Sequence, residues 1–423
     1  MNTIIRQPVT FEEMITGADI VIAGGGPGGL AAADAAAKLG ASVAVLERNS
    51  EIGSPTRTSG GSFISDMKAF GIPRHLYHPV GTCRFLSPNN AAEFTYPEPV
   101  ACVIDVRGVY QHLAERAIQA GAKVFPATTV LGPIMDGGRV TGARVKSSRG
   151  VETAISCRIL IDATGYRADL LKQAGVITGH QRFGVGAEYD LYAPHFNHDE
   201  VVLIVGSSVA PCGYGWAFPW GKNRVRLGVG VIHADSSANP EDYLNRLLEN
   251  GASFGLDLRG AQPIEFHTGL IPSDGMAGRF VGEGILGVGD SAGQPSALLG
   301  EGIRWAIYAG EMAGKVAAEA VAANDCSVKS LSRYETQWRK RFGANLRIAH
   351  EINKRIAGWS DQQWDRGTEL LKLFTPDQFE QALRTELMGR WAFDLVWSNP
   401  KLLKTGAREL LKLAGSARLR AMK

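Results

Sequence analysis

The chain has 423 residues, 45% hydrophobic and 21% charged, with 51 glycines, a size and balance that suit two or three α/β-type domains with many tight turns. Its five cysteines, Cys83, Cys102, Cys157, Cys212 and Cys326, are scattered with no C-x-x-C pair, which argues against structural zinc and a secreted disulfide framework. The formal net charge of +3 is concentrated at the end, where Lys401, Lys404, Arg408, Lys412, Arg418, Arg420 and Lys423 face Glu409 alone, and that tail holds no stacking aromatic, which argues against nucleic acid as a partner.

The first 18 residues hold no apolar run of signal-peptide length and no segment approaches a membrane span, so the chain is expected to be cytoplasmic. In chain order, residues 19–23 (Asp-Ile-Val-Ile-Ala) form a short buried-strand pattern. They run into Gly24-Gly25-Gly26-Pro27-Gly28-Gly29, which is G-x-G-x-x-G on Gly24, Gly26 and Gly29. An alanine-rich helix through Leu39 and a parallel strand at 42–46 follow. Glu47 closes the unit where an acid accepts a ribose hydroxyl, with Arg48 beside it. Strand, turn, helix, strand and acid in order describe a βαβ unit whose backbone wraps a pyrophosphate at a helix N-terminus.

Residues 49–63, rich in Gly, Ser and Thr, read as a loop, either one that lies over the cofactor of such a fold, with Gly60-Gly61 allowing a close approach to a flat ring, or an ordinary surface loop. A helix is expected at 109–120 and a strand at 122–125, with Arg107 placed to point at the pyrophosphate. Residues 140–146 and 151–157 read as a hairpin joined at 147–150. Asp162-Ala163-Thr164-Gly165 and Gly289-Asp290 then end two further buried strands in small-residue turns, which belong at the same ligand.

Between them, 183–192, 201–206, 224–232 and 264–270 alternate as strands of a mostly antiparallel sheet, interrupted by a helix at 240–250. At its centre stands Tyr214-Gly215-Trp216-Ala217-Phe218-Pro219-Trp220, followed by Gly228-Val229-Gly230. His195-x-x-His198 carries metal-ligand residue types within a polar connection, and no metal is assigned to it. No nucleophile elbow is present. After 330 the pattern is helical, at 331–357, 361–374 and 376–388. In the last piece Leu403, Ala407, Leu410, Leu411 and Ala414 share one face and Lys404, Arg408 and Lys412 another, a helix that either packs on the chain's own body or rests on anionic lipid.

The glycine fingerprint with Glu47, the Asp-Ala-Thr-Gly at 162–165 and Gly289-Asp290 together resemble the FAD-binding set of the para-hydroxybenzoate hydroxylase superfamily. The Tyr214-to-Trp220 spacing, Gly289-Asp290-Ser291-Ala292-Gly293 and Gly300-Glu301-Gly302-Ile303 are similar to the geranylgeranyl reductase family within it. The resemblance implies an α/β (α+β overall) fold. A Rossmann-like FAD domain (1–80, 101–181, 281–330) would carry an inserted antiparallel substrate domain (81–100, 182–280) and a C-terminal helical region (331–423). It implies that Glu47 holds the ribose, that Arg107 sits by the pyrophosphate, that Asp290 bonds the ribityl chain, and that the helix from Gly302-Ile303 approaches the flavin pyrimidine, with Gly165 also at the cofactor. Many members carry a cysteine in the loop near the flavin. Here Thr58 stands about where it would be, a far poorer acid.

The implied activity is reduction of C=C bonds in a prenyl or other extended hydrophobic substrate by hydride from reduced flavin, with Thr58, Tyr214 and Trp216 as catalytic candidates. Tyr214, Trp216, Phe218 and Pro219 are the candidate substrate contacts. An NAD(P)H-dependent FAD monooxygenase acting on an aromatic or natural-product intermediate is the alternative, and a redox carrier without a small substrate a third. No second glycine fingerprint serves NADPH, so NAD(P)H binds transiently or a reduced carrier protein supplies electrons. The sequence sets no oligomeric state.

Overall fold

The computed structural model describes residues 17–388. The basic stretch at 403–414, with its expected amphipathic helix, lies outside them.

β-branched residues on both faces cover the Gly17–Ala23 strand from Ile20 onward, with Ile20, Val21 and Ile22 at 0% exposure. It sits inside a sheet ordered Val281–Gly282, Ile285–Gly287, Glu152–Asp162, Gly17–Ala23, Val43–Leu46, Lys123–Phe125. All of these pairings are parallel except the outermost, between Val281–Gly282 and Ile285–Gly287. The chain leaves Gly17–Ala23 toward Val43–Leu46 on one side and returns as Glu152–Asp162 on the other. Such a reversal opens a crevice at the carboxyl ends of the strands.

The second arm of the expected hairpin and the expected strand after it are one element. Glu152–Asp162 pairs antiparallel with Arg139–Lys146 over its first half and parallel with Gly17–Ala23 over its second. A strand at Thr129–Asp136, which the sequence reading passed over, pairs with Arg139–Lys146. Residues 49–60 are the expected loop, but the last three of 49–63 are not. Gly61–Phe63 is a strand against Ala101–Ile104, which also pairs with Tyr77–Val80. Three residues are too few to show a period, and the pairing comes from a distant segment.

Small residues bring two helices into contact. A Cβ on Gly310 of the Ile303–Ala322 helix would lie 2.2 Å from the Gly28 carbonyl oxygen of the Pro27–Lys38 helix, and one on Gly314 would lie 2.3 Å from that of Ala32. This closeness brings Ile303 and Ala306, on the first turn of the longer helix, to the wall shared with the glycine turn.

The second sheet has seven strands, ordered Gln262–Pro272, Phe183–Tyr192, Arg224–His233, Gly213–Pro219, Glu200–Ile204, Thr82–Leu86, Ala91–Thr95. The aromatic run is thus a strand, and period-two alternation puts Tyr214, Trp216 and Phe218 on one face. The opposite face packs Ala187, Leu227 and Val229 against Leu244 and Leu247 of the Pro240–Asn250 helix. One buried guanidinium ties the 49–60 loop to this sheet: Arg226 Nη1 donates to the carbonyls of Ser59 at 2.7 Å and Ile104 at 3.0 Å.

Helices Val328–Trp338, Ala344–Ile356, Asp361–Leu371 and Pro376–Leu383 follow. Capping boxes open the last two, Ser360 with Gln363 and Thr375 with Gln378. These two helices lie on the outer strands of the second sheet. Phe379 stacks on Phe94 with centroids 3.8 Å apart, Tyr96 Oη donates to the Pro376 carbonyl at 2.9 Å, and Asp365 accepts from Ser87 and Asn89. Among the described residues no helix is long and apolar enough to cross a membrane.

Candidate active site

Between the two sheets runs a cavity of about 1080 Å³, just above the usual range for small-molecule sites. One end is built by the crevice of the parallel sheet. Gly24 turns at φ +116°, and a Cβ there would lie 2.2 Å from the Ala163 carbonyl oxygen, so the turn admits no other residue. The Pro27–Lys38 helix starts at Gly26 with no side-chain cap and no acid in its first turn. Its leading N–H groups are left for an anion. Glu47 spans the turn: Oε2 accepts from the Gly25 N–H at 2.7 Å and Oε1 from that of Asn49 at 2.8 Å. Each oxygen keeps a lone pair for a hydroxyl donor.

Gly165, Gly289, Asp290, Gly302 and Ile303 continue the wall, and Arg48 and Thr58 line it from the loop side. Asp162, next to the Gly165 turn, is spent structurally, accepting from the Thr164 hydroxyl and the Leu170 and Leu171 N–H groups. Asp290 differs. Its carboxyl has no hydrogen-bonding or ionic partner among the described residues, and burial pushes it up to about 7. An unpartnered acceptor beside an open helix N-terminus fits the ribityl and diphosphate portions of FAD.

A stability consequence follows from Asp290. With its folded-state value raised above the unfolded one, the folded chain without FAD holds the proton longer. The stabilising contribution is full below about pH 4 and is lost as pH rises through about 7. Asp290→Asn should remove this slope, leaving the FAD-free variant up to about 4 kcal/mol more stable than wild type at pH 8 and nearly unchanged at pH 4. Urea melts at the two pH values check it.

The other end belongs to the seven-stranded sheet. Trp216 lies across the glycines of the neighbouring strand: Cβ atoms on Gly228 and Gly230 would sit 2.3 and 3.3 Å from its ring. Its Nε1 donates to Glu188 Oε2 at 2.7 Å. Tyr214, tilted against Trp216 with centroids 5.6 Å apart, donates its hydroxyl to the Leu299 carbonyl at 2.5 Å. Burial, then the charges of Glu301 and Glu188, push the phenol well above its ordinary range, so it stays protonated. Phe218 and Pro219 are not among the lining residues. Phe218 packs on Gly61, where a Cβ would be 3.1 Å from its ring. Trp220 donates to Asp190 at 2.8 Å and carries the Arg224 and Arg226 guanidiniums on its face. Arg107 forms an ion pair with Glu51 outside the lining set.

Cys212 lines the cavity as a thiol held up by burial and Asp235, and Cys83, pushed up to about 12 by burial, is inert. His198 faces the Ala193 carbonyl, and among the described residues no group of three or more His, Cys, Asp or Glu could hold a metal.

Two groups of lining residues went unread in the sequence. Glu188 and His267 are buried at 4% and 8% exposure. A glutamate within the alternating 183–192 strand was the available signal. Trp364, Leu371, Phe379 and Leu383 arrive from the last helices. Their apolar faces were visible, their partner was not.

Residues 19–203 match the FAD dependent oxidoreductase family, and residues 184–271 match the geranylgeranyl reductase catalytic domain. The chain is 34% identical over 354 residues to digeranylgeranylglycerophospholipid reductase 2 of Methanothermobacter thermautotrophicus, covering 82% of this chain and 90% of that one. It is 31% identical over 402 residues to the reductase 2 of Methanopyrus kandleri, covering 93% and 99%. A solved geranylgeranyl bacteriochlorophyll reductase-like protein from Thermoplasma acidophilum superposes with TM-score 0.83 at 25% identity, covering 94% and 99%. A flavin-dependent brominase, at TM-score 0.67 and 17% identity over 87% and 93%, shares the fold alone. With the fingerprint, the aromatic strand and this likeness along nearly its whole length, the chain belongs to the geranylgeranyl reductase family of FAD-dependent oxidoreductases.

Proposed function

We propose that the protein saturates C=C bonds in the isoprenoid chains of a prenyl lipid of the geranylgeranyl type. The carrying observation is that the cavity does not stop at the aromatic pair. It continues along Phe85, Leu203 and Val205 of the sheet to Trp364, Leu371, Phe379 and Leu383 of the covering helices, a stretch without a charged side chain. An extended apolar wall suits an alkyl chain better than a compact polar intermediate.

FAD would be held by the Gly24–Gly29 turn, Glu47, Asp290 and the start of the Ile303–Ala322 helix, and when bound and reduced it supplies hydride. The protein's own part is electrostatic. An isolated trisubstituted alkene is unpolarised, so positive charge develops at its more substituted carbon as hydrogen is added. Tyr214 and Trp216 present ring faces to that charge, each worth about 0.5–2 kcal/mol in a well-placed geometry. The apolar wall keeps water from the charge. A proton must also reach the second carbon. Electrons come from NAD(P)H or a reduced carrier protein. We assign contact with the lipid surface to the basic stretch at 403–414.

The test is anaerobic turnover. Protein loaded with FAD and reduced with dithionite should add two hydrogens per double bond to a geranylgeranyl lipid, read by mass spectrometry. Substrate-stimulated, stoichiometric oxygen uptake with no saturated product would replace this reading with the monooxygenase one.

A further inference from the structure

Saturating an alkene consumes one proton for each hydride, and the candidate cysteine position holds Thr58. Another route to the cavity exists. Glu265 is exposed at the edge strand, its side chain 58% accessible, and its Oε2 lies 2.8 Å from His267 Nε2. His267 Nδ1 faces Glu188 Oε1 at 3.3 Å, and both His267 and Glu188 line the cavity. Glu188 Oε2 receives the Trp216 indole N–H, which fixes the carboxyl directly beside the aromatic wall.

We propose that Glu265, His267 and Glu188 form a proton relay from solvent to the substrate, with Glu188 as the acid that protonates the alkene carbon opposite the one taking hydride. The inference rests on the reductase reading and supplies its missing proton. The charged His267 passes its Nδ1 proton to the Glu188 carboxylate; the π bond then breaks, hydride supplied by the reduced cofactor forming one C–H bond and the proton now on Glu188 the other. This leaves Glu188 a carboxylate and His267 a neutral ring with its proton on Nε2, and once the ring turns over, Glu265 and bulk water return a proton to the bare nitrogen. Electrons and protons balance with no further reagent.

The register explains why these three residues meet. Glu188 pairs with His267 on one side and with Gly228, the glycine beneath Trp216, on the other. Burial alone disfavours a charged His267, but its hydrogen bonds and ion pairs with Glu188 and Glu265 outweigh this and hold it above the ordinary histidine value. Among the described residues, Arg226 on the Arg224–His233 strand and Tyr214 on the Gly213–Pro219 strand also feel the Glu188 charge. His267 is thus a charged donor below its raised value, and turnover should fall as pH rises through it.

Glu188→Gln keeps the volume and an acceptor for Trp216 while removing the proton. It should slow anaerobic alkene reduction on the order of 100-fold, leave KM within about twofold, and abolish the alkaline limb of the rate profile. Nitrogen-15 NMR of the protein without FAD or substrate should show the His267 titration midpoint moving down by about one pH unit in the variant. Glu265→Gln, on the surface where folding is not at stake, should slow turnover about three- to tenfold and enlarge the solvent deuterium isotope effect. A Glu188→Gln protein with wild-type rate and pH profile, or a His267 midpoint that does not move, overturns the relay. Wild-type protein that saturates no alkene, with the His267 midpoint still moving, instead overturns the reductase reading.

Discussion

Gly26→Ala should yield a protein that melts within about 1 °C of wild type yet binds FAD at least 30-fold more weakly, about 2 kcal/mol. Gly26 has φ −80° and ψ 178°, which alanine adopts without strain, and a Cβ there meets no protein atom within 4 Å. The folded protein has no reason to reject the methyl. The diphosphate does, because that empty space is where it must approach the leading N–H groups of the helix. Gly29 gives the opposite result. A Cβ there would lie 2.1 Å from the Gly24 carbonyl oxygen, so Gly29→Ala should destabilise the chain itself, by about 1–3 kcal/mol. Thermal melts without ligand and flavin-quenching titrations separate the two. Unaltered FAD affinity in Gly26→Ala would mean the diphosphate lies elsewhere.

The contrast also marks what the sequence could tell. Gly24, Gly26 and Gly29 were legible because their spacing is imposed by one local unit, strand to turn to helix, whose parts lie within about thirty residues. The same holds for the 183–192, 224–232 and 240–250 elements, found within a residue of Phe183–Tyr192, Arg224–His233 and Pro240–Asn250. Legibility ended where a residue's role depends on a distant partner. Tyr214, Trp216, Phe218 and Trp220 share one alternation, but the face is divided by what comes from elsewhere: Gly61 covers Phe218, Asp190 and two arginines hold Trp220, and only the first two rings remain on the cavity. Its place at the start of a helix and the family resemblance predict Arg107 beside the pyrophosphate. The helix starts at Val106, and the side chain pairs with Glu51, an acid in the loop whose path no periodicity specified. The C-terminal helices are the extreme case. Their amphipathic faces gave helix positions, while the surface they cover, around Phe94 and Phe85, lies some 280 residues earlier.

The same dependence on a partner strand sets the largest effect expected at the substrate end. Gly228→Ala should cut anaerobic alkene reduction about 100-fold while leaving FAD affinity within twofold. The added methyl would be 2.3 Å from Trp216 Cε2 and Cζ2 and 2.7 Å from Nε1, against the body of the indole and not a flexible tip. Gly228 lies in a strand paired on both edges, with Gly213–Pro219 and Phe183–Tyr192, so its backbone has little freedom to retreat. The ring must therefore lift by roughly 1 Å, a displacement that near-attack geometry converts to about 100-fold in rate. Lifting it also stretches the 2.7 Å bond to Glu188, so the proton donor moves with the ring. Trp216→Leu is the informative control. It removes the N–H and the clashing indole body together, so in a Gly228→Ala background it should relieve the overpacking, typically about 1–3 kcal/mol, without restoring the rate. Full activity in Gly228→Ala would show that the indole's position over the glycines has no part in the reaction, and the role assigned to the aromatic wall would pass to Tyr214 alone.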